Sequence, residues 1–243
     1  MSDDIEKVAL VFGGSRGIGA AIVERLAREG YAVAFTYVSS ESAAYEIEEQ
    51  VIARGGRAKA IRADSGKADD IRAAVSTAVE SFGKLDAVVV NAGIFRTATI
   101  DAVTEADLDE MLRINVRGVY LSIQVAAGQM NDGGRIVTIG SNVAIRTGFP
   151  GASVYQMTKA AVAAMVKGVA LDLAPRGITV NNVQPGPTDT DINAGGIDTL
   201  SSMSPLKRVA RPAEIAGIVA YVVNDEAGYM TGASLTIDGG FTL

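Results

Sequence analysis

The chain has no histidine, no cysteine and no tryptophan among its 243 residues. Without cysteine there is no disulfide framework, no thiolate zinc site and no thiol nucleophile. Without histidine there is no Ser-His-Asp triad, no imidazole metal site and no imidazole acid or base. Proton chemistry therefore falls to Tyr, Lys, Asp, Glu or Ser, and no metal is expected. Long apolar runs are missing too. No stretch of about 18 uninterrupted apolar residues occurs, and the acidic Met1–Lys7 lacks the apolar core of a signal sequence. A cytoplasmic protein without membrane contact is expected. The formal net charge of -6 argues against a nucleic-acid partner, because neutralising phosphates takes clustered Lys and Arg.

What is present is a chain with 48% hydrophobic residues, enough for one large domain spanning 1–243. Short β-branched apolar runs at Val8–Phe12, Ala32–Tyr37, Ala58–Ala63, Ala87–Val90, Arg135–Gly140, Thr179–Val183 and Ser234–Ile237 read as buried strands. Between them, Gly19–Arg28, Ser42–Ala53, Asp69–Phe82, Glu105–Met130 and Val154–Ala174 carry apolar residues at three-to-four spacing and read as helices; another begins near Pro212. This βαβα order predicts a single-domain α/β fold, a doubly wound parallel sheet with helices on both faces and ligands at the carboxyl ends of the strands. Thr188–Ser204, rich in Gly, Asp, Ser and Thr, reads as irregular. A mobile substrate loop at about 188–207 is expected there.

Gly13, Gly17 and Gly19 stand directly after the first strand and at the start of a helix. Glycine permits the close backbone approach that a pyrophosphate needs, and the helix N-terminus attracts its charge. Further along come Asp64, Asn91-Ala92-Gly93, Asn115, Ser141, Tyr155-Gln-Met-Thr-Lys159, Pro185-Gly186 with Thr188 and Thr190, and finally Thr231-Gly232 and Ile237-Asp238-Gly239-Gly240. This ordered set, covering essentially the whole chain, resembles the short-chain dehydrogenase/reductase family.

The resemblance implies a Rossmann-like fold and an NADP(H) site. Its cofactor-binding set is Gly13, Ser15, Arg16, Gly17, Ile18, Gly19, Tyr37, Ser39, Ser40, Asp64, Ser65, Asn91, Ala92, Gly93, Tyr155, Lys159, Pro185, Gly186, Thr188 and Thr190. It makes Tyr155 the acid/base, gives Lys159 the nicotinamide ribose as well as the phenol, lets Ser141 polarise the substrate oxygen and assigns Asn115 to a water-linked proton relay. The residues themselves agree with this reading of the pair. Positions i and i+4 share a helix face, and a neighbouring ammonium favours the phenolate of a group whose free pKa is about 10. The second strand ends at Tyr37, followed by Val38-Ser39-Ser40, with no acid before Glu41. An acid at that strand end would repel a 2′-phosphate, and Arg16 can bind one, so NADPH is expected over NADH.

Three positions depart from the family pattern. Phe12 stands where Thr usually tethers the glycine loop, and Val90 replaces the first Asn of an Asn-Asn-Ala-Gly turn. The stretch from Ser141 to Tyr155 is one residue longer than usual, which leaves Asn142 at the serine spacing. Ser141 is preferred because it ends the strand run Ile-Val-Thr-Ile-Gly-Ser.

The function expected is hydride transfer between nicotinamide and a ketone, aldehyde or secondary alcohol, 3-oxoacyl thioesters included. The competing reading is a nucleotide-binding regulatory or sequestering protein on the same scaffold; an intact Asn115, Ser141, Tyr155 and Lys159 set argues against it. Surplus Ala and Val on the two long helices, as in Ala160-Ala161-Val162-Ala163-Ala164, suits packing between subunits, and family members are commonly tetramers. A homotetramer is expected.

Overall fold

A computed structural model describes residues 7–243, so all but the last residue of the acidic Met1–Lys7 stretch lies outside the described residues. Seven strands form one parallel sheet in the order β3-β2-β1-β4-β5-β6-β7. They are β1 Val8–Phe12, β2 Ala32–Tyr37, β3 Arg57–Arg62, β4 Leu85–Val90, β5 Met130–Ile139, β6 Thr179–Pro185 and β7 Ser234–Ile237. Every residue of β1, β2 and β6 is buried, as central strands covered on both faces require, whereas β3 at the edge exposes Arg57, Lys59 and Arg62. Glu48 accepts a hydrogen bond from the Ala60 amide at 3.0 Å and so blocks part of this edge against further pairing.

Helices α1 Gly17–Arg28, α2 Glu41–Ala53 and α8 Pro212–Val223 cover one face. Helices α3 Ala68–Phe82, α5 Val119–Ala127 and α6 Ser153–Leu173 cover the other. Alternate strand residues feed the two cores, with Val11 and Phe35 on one side and Leu10 and Phe12 on the other. Phe12 is fully buried, so restoring the family's Thr there would empty a packed site at a cost of about 3 kcal/mol. Among the described residues no helix is long and apolar enough to cross a membrane.

The structure corrects the sequence reading in three places. Glu105–Met130 is helical only as far as Ala127 and is not α throughout: α4 Glu105–Leu112 runs into a π turn, Arg113–Gly118, and then into α5. The wider turn leaves Asn115 fully buried, where its amide finds partners outside the helix. Met130 belongs to β5, whose Asn131–Gly134 segment bulges out between the pairs Leu85↔Met130 and Ala87↔Arg135. The 188–207 segment also contains a short helix, α7 Ile197–Met203, in which Ile197, Leu200 and Met203 share one face and Asp198 meets the positive helix end.

Candidate active site

The sheet order reverses between β1 and β4, and a cleft of about 430 Å³ opens there at the carboxyl ends of the strands. Its floor is the glycine loop. Gly13 has φ +79°, and a methyl group on it would stand 2.9 Å from Ala92 Cα. At Gly19 a methyl group would lie 1.9 Å from the Gly13 carbonyl oxygen, so only glycine lets the loop turn onto the helix. The tether missing at Phe12 comes from the neighbouring strand. Thr36 Oγ1 accepts from the Gly13 amide at 2.9 Å, the Thr36 carbonyl accepts from the Gly14 amide at 2.9 Å, and Asn91 Nδ2 donates to the Gly13 carbonyl at 2.6 Å.

Of the expected cofactor residues, Gly13, Ser15, Arg16, Gly17, Ile18, Tyr37, Ser39, Ser40, Asp64, Ser65, Asn91, Ala92, Gly93 and Thr190 line this cleft. Gly19 lies behind the loop, Pro185 ends β6 with Gly186 just after it, and the buried Thr188 donates to the Gly186 carbonyl; neither these four nor Tyr155 and Lys159 are among the lining residues. Tyr37 is buried and its hydroxyl donates to Glu41 at 3.2 Å. A hydrogen bond with Tyr45, burial and Glu41 together push this phenol up to about 12. Arg16 is exposed and faces Asp191 of the 188–207 segment at 3.6 Å. Thr36 and Arg113 also line the cleft and were not anticipated. The departure at Phe12 was the signal for the first; nothing in the pattern marked the second, which reads as a surface charge on a helix.

The catalytic candidates converge beside the cleft. Tyr155 and Lys159 sit one turn apart on α6, with Lys159 Nζ 5.7 Å from the Tyr155 ring centre. Lys159 is buried and donates to the Ile139 carbonyl at 2.8 Å. Burial brings its ammonium down to about 8. Burial likewise pushes the Tyr155 phenol up to about 12, against a hydrogen bond with Ser141 that works in the opposite direction. Phe95 meets the Tyr155 ring edge to face at 4.7 Å.

Asn142 turns away from this cluster and donates to Asp238 at 3.4 Å, while Ser141 starts the short helical turn Asn142–Ala144. Although burial raises the Asp238 carboxyl, hydrogen bonds from Thr242, Gly240 and Asn142 outweigh it and hold the group below its usual range. Asn115 spends its amide as a clamp. Oδ1 accepts from the Ile94 amide at 2.8 Å, while Nδ2 donates to the Ile94 carbonyl at 2.8 Å and to Thr158 Oγ1 at 3.3 Å. A methyl group on Gly93 would stand 3.3 Å from Asn115 Oδ1 and 3.6 Å from Lys159 Nζ. Gly93 is thus where cleft and catalytic cluster meet.

A nucleotide cleft at the switch point and a Tyr–Lys–Ser cluster at its rim define a class of single-domain α/β oxidoreductases, and comparison with known proteins agrees. The family model described as Enoyl-(Acyl carrier protein) reductase matches residues 13–242. A short-chain dehydrogenase/reductase from Serratia marcescens BCRC 10948 is 52% identical with a TM-score of 0.95, covering 98% of each chain. One from Burkholderia cenocepacia J2315, solved in complex with NADP, is 44% identical with a TM-score of 0.95 over 99% of this chain and 100% of that one. A cyclic-di-GMP-binding biofilm dispersal mediator protein of Escherichia coli K12 is 43% identical over 97% of both chains. The chain belongs to the short-chain dehydrogenase/reductase family.

Proposed function

We propose that this chain is an NADPH-dependent carbonyl reductase and alcohol dehydrogenase of small ketones, aldehydes or secondary alcohols. The observation that carries the reading is the clustering of Ser141, Tyr155 and Lys159 around the Tyr155 phenol, with Lys159 Nζ reaching Gly93 at the rim of the cleft. The residues present fit a dinucleotide: the glycine loop and the N-terminus of α1 face a cleft of about 430 Å³, and no acid stands at the end of β2. Gly13 to Gly19 would hold the pyrophosphate, Arg16 the 2′-phosphate, Asp64 and Ser65 the base, and Lys159 the nicotinamide ribose. A reduced nicotinamide supplies hydride when bound. NADP and NADPH occupy related proteins of 44% and 45% identity, which supports the cofactor choice.

In the reductive direction Tyr155 donates its proton to the substrate oxygen as carbon accepts hydride. A phenol pushed up to about 12 holds its proton at neutral pH and is a weaker acid than a free phenol, so its transfer depends on neighbours that favour the phenolate. Ser141 donates a hydrogen bond to the same oxygen, strengthening as negative charge grows there. Lys159, held by the Ile139 carbonyl, lowers the cost of the phenolate left behind. Asn115 positions the 93–95 loop against this centre. Tyr155→Phe preserves the ring and its contact with Phe95. Turnover is expected to fall about a hundredfold or more while the NADPH dissociation constant stays unchanged. Carbonyl-panel assays at 340 nm beside fluorescence titration measure both; a Phe variant that keeps most of its activity overturns the acid/base role.

A second reading follows from the Escherichia coli relative: a nucleotide-binding regulator on this scaffold. Tight NADPH or cyclic-di-GMP binding with no turnover across the panel would favour it. We further propose a cytoplasmic homotetramer. Tyr120 on α5 and Met157 and Leu171 on α6 are large apolar side chains left exposed on the single chain, 77% so for Leu171. Light scattering should give four times the 25.1 kDa chain mass, and a monomer at micromolar concentration refutes it.

A further inference from the structure

The π turn Arg113–Gly118 is wedged between two loops of the cleft. At one end Arg113 reaches the segment after β3: its guanidinium lies 3.7 Å from Asp64 Oδ2. It also passes over Gly66 so closely that a methyl group there would overlap Nη1 at 1.7 Å. At the other end Gly118 abuts the same segment, where a methyl group would stand 2.3 Å from the Ser65 carbonyl oxygen. Between them, Asn115 clamps the Ile94 amide and carbonyl. Asp64 is fixed from the other side, with Oδ1 accepting from the Gly66 amide at 2.8 Å and its own amide donating to Asp70 at 2.9 Å. Arg113, Asp64 and Ser65 all line the cleft.

We propose that Arg113 is a positioning residue for nucleobase selection: by pairing with Asp64 across Gly66 it aims that carboxylate to read a 6-amino purine. The inference rests on the reading that the cleft holds NADP(H). An ionised carboxylate only accepts hydrogen bonds, so it rewards the exocyclic amino group of adenine and repels the carbonyl that hypoxanthine presents at the same place. Aim matters because a planar guanidinium offers fixed donors, whereas a carboxylate left to rotate divides its time among solvent partners. Because Arg113 and Asn115 share one turn, a base that seats well also sets the 93–95 loop at the catalytic rim.

The test compares NADPH with its reduced hypoxanthine analogue, by fluorescence titration and by kcat at saturating cofactor, in wild type and three variants. Wild type should bind the adenine form about tenfold more tightly. Arg113→Met should bring that ratio close to one. Arg113→Lys, which restores charge but not the planar fork, should recover part of it. Gly66→Ala leaves residue 113 intact and displaces its guanidinium, its methyl also standing 3.1 Å from Asp64 Oδ1; the φ at Gly66 is one other residues adopt, so the chain should fold and the ratio should again collapse. In both collapsing variants kcat with saturating NADPH should drop about threefold, an effect that passes through the shared turn. Thermal melts confirm folding. Wild type that binds NADPH without preferring adenine, or variants that keep the wild-type ratio, overturn the proposal. Wild type that fails to bind NADPH at all sinks the cofactor reading instead.

Discussion

The two ends of the cleft are built by different means. The proposed nucleotide end, on β1 to β4, is a surface of backbone: closely packed glycines, an amide tied to Thr36 and a carbonyl tied to Asn91, and exposed polar side chains such as Arg16 at the rim. The proposed catalytic end, beside the cleft on β5 and α6, is a set of side chains drawn largely out of solvent, with the Tyr155 phenol shifted upward and the Lys159 ammonium downward. Shape is the instrument of the first and charge of the second. Substitutions at the catalytic end should therefore remove chemistry from a protein that still binds, and those at the nucleotide end should change what is bound.

The sharpest contrast within the catalytic end is between neighbours. Ser141→Ala removes a donor that strengthens as charge develops on the substrate oxygen, and turnover should fall about a hundredfold. Asn142→Ala breaks only the bond to Asp238 and should stay within about threefold of wild type. Steady-state kinetics of the two variants decide the matter; equal losses would show that Asn142 occupies the serine's place.

Lys159 bridges the comparison, since the proposed function gives its charge a role at both ends. Its pKa falls from 10.5 to about 8 on burial, so the free protein loses the ammonium as pH rises through about 8. NADPH affinity should weaken across that range, and Lys159→Ala should lower affinity and turnover together, each about tenfold, and abolish the inflection. Stability runs the other way. Between about 8 and 10.5 the unfolded chain holds more protons on this group than the folded one, so stability should rise with pH over that window until Tyr155 and other groups titrate. Binding titrations and melts from pH 6.5 to 9.5 check both signs.

The smallest effect belongs to the nucleotide end. Wild type should prefer NADPH to NADH by about tenfold, some 1.4 kcal/mol, and Arg16→Ala should erase that preference by weakening NADPH alone. Equal use of both cofactors by wild type would break the assignment of Arg16.

Most of the fold was legible because central strands such as Val8–Phe12 and Ala32–Tyr37 are covered on both faces and appear as largely apolar runs. The π turn was not. Inserting one residue in a helix leaves its apolar spacing almost intact, and the reason for the insertion, Ile94, lies 21 residues away. The bulged start of β5 escaped notice for the opposite reason, since Asn131-Asp132-Gly133-Gly134 looks like a loop. At the site, Tyr155, Lys159 and Ser141, singled out by the ordered motifs, lie close together in the structure. Thr36 was hidden because a hydroxyl inside a buried strand reads as an ordinary β-former until its partner is known.

That hydroxyl has a consequence for anyone recombining this scaffold. Where the usual threonine sits at the glycine loop itself, the stretch that chooses between cofactors and the stretch that shapes the phosphate loop are separate cassettes. Here the anchor rides on β2, one position before Tyr37. A graft that swaps the 36–41 segment to retune cofactor choice would also carry off the loop's fastening, and the recipient would need a serine or threonine restored at position 36 before the transplant could be judged.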